Sequence, residues 1–357
     1  MRGLRLQEER EEPVRRFVPA LLALSLLATA CGGDDTASGG ASTGAVSAQV
    51  ASYELVAGQP ERFLIGLFTA DGVVSYGSVD LSFSYLGTGS DDPQAGPETT
   101  GTFLLVPQEG AGHSHEEGDD GMDMGSDDHA AMGAVALPTD DELAAAEQKA
   151  PEITAPDQVR GVYQASDVTF ADPGVWEATV TVDLDGAAQT ATAAFQVVAE
   201  PAYPAPGQAA PPTDNLVMND EDAKPSMVDS RASGGWDTVP DPELHQGTIA
   251  DSIDAGRPVV VVVSTPLYCQ SRFCGPITDE ILALSEMYGD RADFIHLEVW
   301  RNYQDKVVNK AAADWVYRTD ITEPWVFLVG PDGTIIDRWA NVADPRELRD
   351  QLEALPA

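Results

Sequence analysis

A run of five consecutive valines, Val259 to Val263, constrains the fold of this chain more than any other feature. β-branched side chains favour strands, and a strand without alternating polar residues is buried on both faces. Its sheet therefore needs a covering layer on each side. Strand-like and helix-like segments alternate around the run, so we predict an α/β domain over residues 241–357.

The predicted elements of that domain are helices at 248–254, 277–288, 304–315 and 345–354, and strands at 259–263, 294–299, 325–329 and 334–338.

Residues 50–199 have a different pattern, with apolar and polar residues alternating in short runs between turn residues. This period of two predicts half-buried strands, and we predict an immunoglobulin-like β-sandwich of about seven strands. The stretch from Ala171 to Gly186 resembles the penultimate hairpin of copper-resistance-like sandwich domains. Residues 200–240 are rich in proline, which predicts an extended linker between the two domains.

Cys31 ends a segment that is typical of a bacterial export signal. Arg15 and Arg16 precede an apolar stretch, residues 17–30, that is short for a membrane span. Leu27 to Cys31 resembles a lipobox, which implies a signal peptide at 1–30, a lipidated Cys31 and a flexible tether at 31–49. The protein would then be anchored to the cell membrane on its extracytoplasmic face. The alternative is a third structural cysteine behind an ordinary signal peptide.

The formal charge of the chain is −39 at pH 7. Such a charge repels nucleic acid and anionic head groups and attracts cations. We therefore expect no nucleic-acid partner.

An acidic insertion at about 108–135 interrupts the predicted sandwich and concentrates imidazole and thioether groups. These ligand types suit copper. The candidate ligands are His113, His115, Met122, Met124, His129 and Met132. The alternative is a disordered acidic loop in which these residues bind nothing.

Cys269 and Cys274 follow the valine run and precede a predicted helix, which places two thiols at a strand-to-helix junction. The order of elements resembles the thioredoxin family, as do Thr322-Glu323-Pro324 entering an apolar strand and the hairpin that follows. The resemblance implies a thioredoxin-like α/β fold, thiol-disulfide exchange and a cis bond before Pro324 beside the active sulfur. The chain as a whole resembles thioredoxin-domain lipoproteins of Gram-positive bacteria.

The spacing of the cysteines departs from that family, because four residues separate them and Gly275-Pro276 follows the second. Aligning Cys274 with the family motif makes Cys274 the attacking thiol. Aligning the helix after Gly275-Pro276 instead makes Cys269 the attacking thiol and keeps the distances closer to the family. Arg272 would stabilise a thiolate at either position.

Three functions stay open for the cysteine pair, namely redox exchange with exported thiol or disulfide proteins, a structural disulfide, and metal handling. Redox exchange requires no cofactor. The competing classes for the whole protein are an extracytoplasmic copper-delivery protein and a noncatalytic surface binding module. Related copper chaperones add a distal histidine, but we expect His296 to be packed in its strand and His245 to lie outside the core elements.

Overall fold

The computed structural model describes residues 46–87, 92–106, 137–318 and 320–356. Nine of its strands form one large antiparallel sheet in the order β6-β3-β2-β7-β5-β4-β8-β9, with β1 paired to β2. Their bounds are β1 Ser47–Val50, β2 Pro60–Thr69, β3 Gly72–Ser75, β4 Ser78–Gly87, β5 Gln94–Leu105, β6 Glu152–Thr154, β7 Gly161–Thr169, β8 Gly174–Leu184 and β9 Ala187–Val197.

The large sheet curls on itself around an aromatic core. Phe63 of β2 lies 4.8 Å from Phe83 of β4 and 5.1 Å from Phe195 of β9, measured between ring centroids. Four strands separate β2 from β9 in the sheet order, so these rings meet only because the sheet folds over. The alternating apolar residues of each strand line the inside of that fold.

A second sheet has four strands in the order β11-β10-β14-β15, with β10 parallel to β11 and antiparallel to β14. A two-stranded ribbon of β12 and β13 lies beyond β11 in sequence. The bounds are β10 Val259–Ser264, β11 Asp293–Glu298, β12 Trp300–Asn302, β13 Val307–Val308, β14 Trp325–Val329 and β15 Ile335–Ala340.

The described residues contain five α-helices and three short 3₁₀ turns. The helices are α1 Asp140–Gln148, α2 Ile249–Asp254, α3 Cys274–Tyr288, α4 Lys310–Val316 and α5 Pro345–Ala354, and the turns are Pro225–Met227, Trp236–Thr238 and Pro242–His245. Helix α1 begins with a capping box between Thr139 and Glu142. The predicted helix at 304–315 is shorter than expected, because the β12–β13 ribbon occupies its first residues.

All five valines of β10 are fully buried, and alternate valines face different layers. Val260 and Val262 pack with α3 and α5, whereas Val259, Val261 and Val263 pack with α2 and α4. Both faces of the second sheet are therefore covered, as its uniform apolar sequence requires.

The two sheets share a hydrophobic core. Leu64, Leu104 and Val162 of the large sheet belong to the same buried cluster as Val260, Val262 and α3. Arg62 of β2 strengthens this junction with ion pairs to Asp337 at 2.7 Å and Glu347 at 2.5 Å. The described residues accordingly belong to one compact unit.

The predicted fold class, an immunoglobulin-like sandwich followed by a thioredoxin-like α/β domain, is wrong. Of the described residues, 39% lie in strands and 21% in helices, and one large antiparallel sheet dominates. A separate thioredoxin-like domain is not seen in the described residues, because the second sheet shares its core with the first. The proposed boundaries at 50–199, 200–240 and 241–357 stay predictions.

Among the described residues, no helix has the length and apolar character needed to cross a membrane.

Candidate active site

Cys269 and Cys274 form a disulfide beyond the end of β10, with their Cα atoms 5.9 Å apart. Cys269 lies in the loop and Cys274 is the first residue of α3. Arg272 between them has a φ of 66°, in the left-handed region, so the loop is not a helical turn. The irregular backbone brings the two sulfurs together, whereas residues five apart on a regular helix point about 140° apart.

The two sulfurs have different surroundings. Cys274 is fully buried, whereas Cys269 is half-buried and reaches the surface. The backbone N–H of Cys274 donates to Cys269 Sγ at 3.3 Å, and Ser271 Oγ lies 3.3 Å from the same sulfur. A helix N-terminus next to a sulfur favours its thiolate form after reduction.

The segment before β14 closes the other side of the cysteine loop. The Glu323–Pro324 peptide bond is cis. Ser271 Oγ donates to the Glu323 carbonyl at 3.4 Å, so one hydroxyl contacts both Cys269 and the segment that holds Pro324.

Tyr53 brings the large-sheet half of the chain to this loop. Its hydroxyl donates to the Glu323 carbonyl and lies 3.0 Å from Asn341 Oδ1. The ring packs against Trp325, with centroids 5.7 Å apart. Burial raises the pKa of the Tyr53 hydroxyl well above its usual value, so the hydroxyl stays a donor at any physiological pH.

Two carboxyl groups, those of Glu298 and Glu323, are buried behind the cysteine loop, and Glu298 accepts hydrogen bonds from the Ser230 and Trp300 N–H groups at 2.8 and 3.0 Å. Burial raises the pKa of Glu298 to about 7. Burial, followed by the nearby charge of Glu298, raises the pKa of Glu323 to about 9. Carboxyl groups with such values hold a proton near neutral pH, which is uncommon outside functional sites.

Sequence reasoning missed Tyr53, Glu298 and Glu323. The sequence does contain a feature that could have identified Glu298, which is a charged residue at the end of an otherwise apolar strand. Glu323 could also have been identified, since it directly precedes Pro324. No sequence feature identifies Tyr53, because 270 residues separate it from Glu323 and no local pattern connects them.

Both His245 and His296 are buried in the core, contrary to the expectation that His245 lies outside it. Their ring centroids are 5.2 Å apart. Burial lowers the pKa of His296 to about 4, so its ring is neutral at physiological pH. With Asp229 and Asp241 they form a group that could hold a metal ion, which we call the Asp/His cluster.

The other predicted site residues lie outside the described residues. They are the lipidation candidate Cys31 and the candidate copper ligands His113, His115, Met122, Met124, His129 and Met132.

Comparisons with protein-family models, with curated proteins and with solved structures find no match for this chain. Its chemistry must therefore be argued from the site itself. That site combines a surface-reaching sulfur, a buried partner sulfur, a backbone N–H that donates to the first sulfur, and carboxyl groups that carry protons near neutral pH.

Proposed function

We propose that this protein carries out thiol-disulfide exchange through Cys269 and Cys274, with Cys269 as the attacking residue. One observation supports this most strongly. The half-buried Cys269 sulfur accepts a hydrogen bond from the first turn of α3, whereas the Cys274 sulfur is fully buried. An exchange site needs this asymmetry, because one thiolate must meet the substrate and the other must act only afterwards.

The reaction has two displacements. With the pair reduced, the Cys269 thiolate attacks one sulfur of a substrate disulfide, so that the substrate S–S bond breaks and its other sulfur leaves as a thiolate. The Cys274 thiolate then attacks Cys269 Sγ in the mixed disulfide and releases the second substrate thiolate. The substrate gains two electrons and the Cys269–Cys274 disulfide forms. The reverse sequence oxidises a substrate dithiol.

The surrounding groups support the reaction. The Cys274 N–H stabilises negative charge on the Cys269 sulfur when this sulfur is the nucleophile of the first step, and Ser271 Oγ lies 3.3 Å from the same sulfur. Tyr53 and Ser271 hold the Glu323 carbonyl, which fixes the segment containing Pro324 beside the loop. Pro324 is a positioning residue in this scheme.

We place the reaction on the outer face of the membrane, with the chain anchored through Cys31. The export-like segment before Cys31 supports this location, and an oxidising compartment is where disulfide substrates occur. The partners are exported proteins that carry thiols or disulfides.

Trapping of mixed disulfides in cells that express the full chain tests the proposal. Cys274→Ser removes the resolving thiol, so covalent adducts should accumulate on Cys269 and be visible on non-reducing gels. The matched variant Cys269→Ser should give roughly tenfold fewer adducts, because its remaining sulfur is buried.

A redox titration of the purified full chain completes the test. We expect the pair to change state within the range of physiological thiol buffers. A pair that stays oxidised throughout, together with no adducts from either single variant, would leave a structural disulfide as the correct interpretation.

A further inference from the structure

The Asp/His cluster lies at the junction of the chain segment before α2 with the second sheet. Asp229 and Asp241 belong to that segment, His245 ends its last 3₁₀ turn, and His296 lies in β11. One ligand atom from each of the four lies within 4.8 Å of the others, and no side chain is more than 2% exposed.

Several polar atoms of these buried side chains have no hydrogen-bond partner within the described part of the chain. Neither ring nitrogen of His245 has a hydrogen-bond partner in the described residues, and the same holds for His296 Nδ1 and Asp241 Oδ1. A buried polar atom without a partner costs about 1–3 kcal/mol, and such atoms are rare in native proteins. Three residues of the cluster, Asp241, His245 and His296, carry such atoms, and this concentration requires a reason.

The distances fit metal coordination better than hydrogen bonds. His245 Nε2 lies 3.5 Å from Asp241 Oδ1, and His296 Nδ1 lies 3.7 Å from Asp229 Oδ2. Hydrogen bonds between such atoms are about 2.7–3.2 Å long. Ligands of a tetrahedral zinc ion, with bonds of about 2.1 Å, are roughly 3.4 Å apart.

The orientation of His296 is set from its other side. Its Nε2 lies 2.9 Å from Ser264 Oγ and 3.3 Å from the Ser264 carbonyl, and Ser264 Oγ also contacts Thr278 at 2.7 Å. In the tautomer that donates from Nε2 to that carbonyl, which is the one that metal ligation through Nδ1 requires, the lone pair of Nδ1 faces the Asp229 carboxylate. A lone pair and an anion face each other favourably only with a cation between them, and a histidine ligand typically has such a partner on its second nitrogen.

The charge balance points the same way. Among the described residues, Arg231 is the cation that pairs with the two carboxylates of the cluster, at 2.6 Å from Asp229 and 2.7 Å from Asp241. Both carboxylates are buried almost completely, so two buried negative charges share one positive charge. A divalent cation would neutralise the remainder.

We propose that Asp229, Asp241, His245 and His296 form a structural zinc site, which fastens the segment before α2 to the sheet that carries the cysteine loop. Two imidazoles and two carboxylates suit Zn²⁺, and four protein ligands are typical of a closed, structural site. The ligand Asp229 directly precedes Ser230, whose hydroxyl accepts the Leu267 N–H at 3.1 Å in the cysteine loop. The zinc would thus hold the base of that loop in place.

Zinc binding by the untagged full-length chain tests this inference. The background carries His113→Ala, His115→Ala and His129→Ala, so that the acidic insertion contributes no imidazole, and the disulfide is kept oxidised so that no thiolate competes. After removal of metal with a chelator, titration with zinc chloride against a chromophoric competitor should show about one tight site per chain. Cobalt in the same site should give the strong visible absorption of tetrahedral coordination.

Variants separate ligation from general core damage. Asp241→Asn and His296→Gln should each weaken zinc binding at least 100-fold, and Ser264→Ala roughly 10–100-fold through loss of the support to His296. The control Glu280→Gln changes another fully buried carboxyl group, in α3, and should keep wild-type affinity. Far-UV circular dichroism checks the fold of each variant.

Two results would overturn the inference. One is a metal-free, folded background protein that takes up no zinc. The other is unchanged affinity in Asp241→Asn and His296→Gln. In either case Arg231 alone balances the cluster. Because the disulfide stays oxidised throughout, this outcome is independent of the trapping experiment.

Discussion

The two sheets of this protein bury different kinds of side chain. The core of the large sheet is aromatic and aliphatic, with Phe63, Phe83 and Phe170 in edge-to-face contact at 4.8–6.3 Å. The second sheet and its helices bury carboxyl and imidazole groups, namely Asp229, Asp241, His245, Glu280, His296, Glu298 and Asp344. Apolar packing stabilises a fold directly, whereas burial of an ionisable group costs free energy unless it is paired.

This difference distinguishes a supporting half, which is the large sheet, from a chemical half, which is the second sheet with its helices. The large sheet gains stability from packing that does not depend on pH. The second sheet and the segments packed on it carry the reactive sulfurs, the proton-holding carboxyl groups and the Asp/His cluster. Perturbed ionisable groups concentrate in this way at functional sites.

The largest effect should follow damage to the aromatic core. Phe83→Ala should lower the free energy of unfolding by about 3–5 kcal/mol, since the ring is 2% exposed and its removal leaves a cavity. Urea denaturation measures this, and the loss should be the same at pH 5 and pH 8. Phe68→Ala, at a ring that is 38% exposed, is the matched control with a small effect. A loss below about 1 kcal/mol for Phe83→Ala would show that the large sheet is not the supporting half.

Replacement of the buried Glu280 in α3 should have a smaller effect on the free energy of unfolding, and of opposite sign. Both carboxyl oxygens of Glu280 are buried without a hydrogen-bond partner in the described residues, and burial raises the pKa of this group well above its usual value. Glu280→Met should therefore raise the free energy of unfolding by about 1–3 kcal/mol at pH 8. Glu286→Met, at an exposed position of the same helix, is the control and should change little. Destabilisation by Glu280→Met would mean that the buried carboxyl has a stabilising role.

The smallest effect, when measured over one pH unit, is a change in the slope of stability against pH. The folded-state pKa of Glu323, about 9, lies above the unfolded value, so the native state holds a proton that the unfolded state releases. Stability from this proton is complete below about pH 4.5 and is lost as the pH rises toward 9, at up to about 1.4 kcal/mol per pH unit. Glu323→Gln should flatten the dependence of stability on pH between 5 and 9. A slope equal to that of the wild type would assign the pH dependence to other groups.

Local patterns predicted the elements of the chain better than their assembly. The valine run, the helix after Cys274 and the hairpin from Trp325 to Ala340 are close to the predicted positions, because period and β-branching act within a few residues. The short strands β1, β3 and β6 were missed, since three or four residues carry little periodicity. The fold class was wrong because no local pattern says whether two sheets will share a core.

The candidate site was predictable only where its residues are close in sequence. Cys269, Cys274 and Pro324 could be chosen from their local context. His245 could not, because the proline-rich stretch before it predicts an extended linker, and its burial depends on contact with His296 from β11. A site whose residues are far apart in sequence can be recognised only in the folded structure.

The shared core between the sheets also has a consequence for the nascent chain during synthesis on the ribosome. Strands β2, β5 and β7 leave the ribosome long before residues 260–355, which cover Leu64, Leu104 and Val162. During that interval these apolar side chains of the nascent chain are exposed, and exposed apolar surface promotes association with other molecules. A holding factor that keeps the unfinished chain apart from its neighbours would therefore matter more for this protein than for one whose halves fold independently.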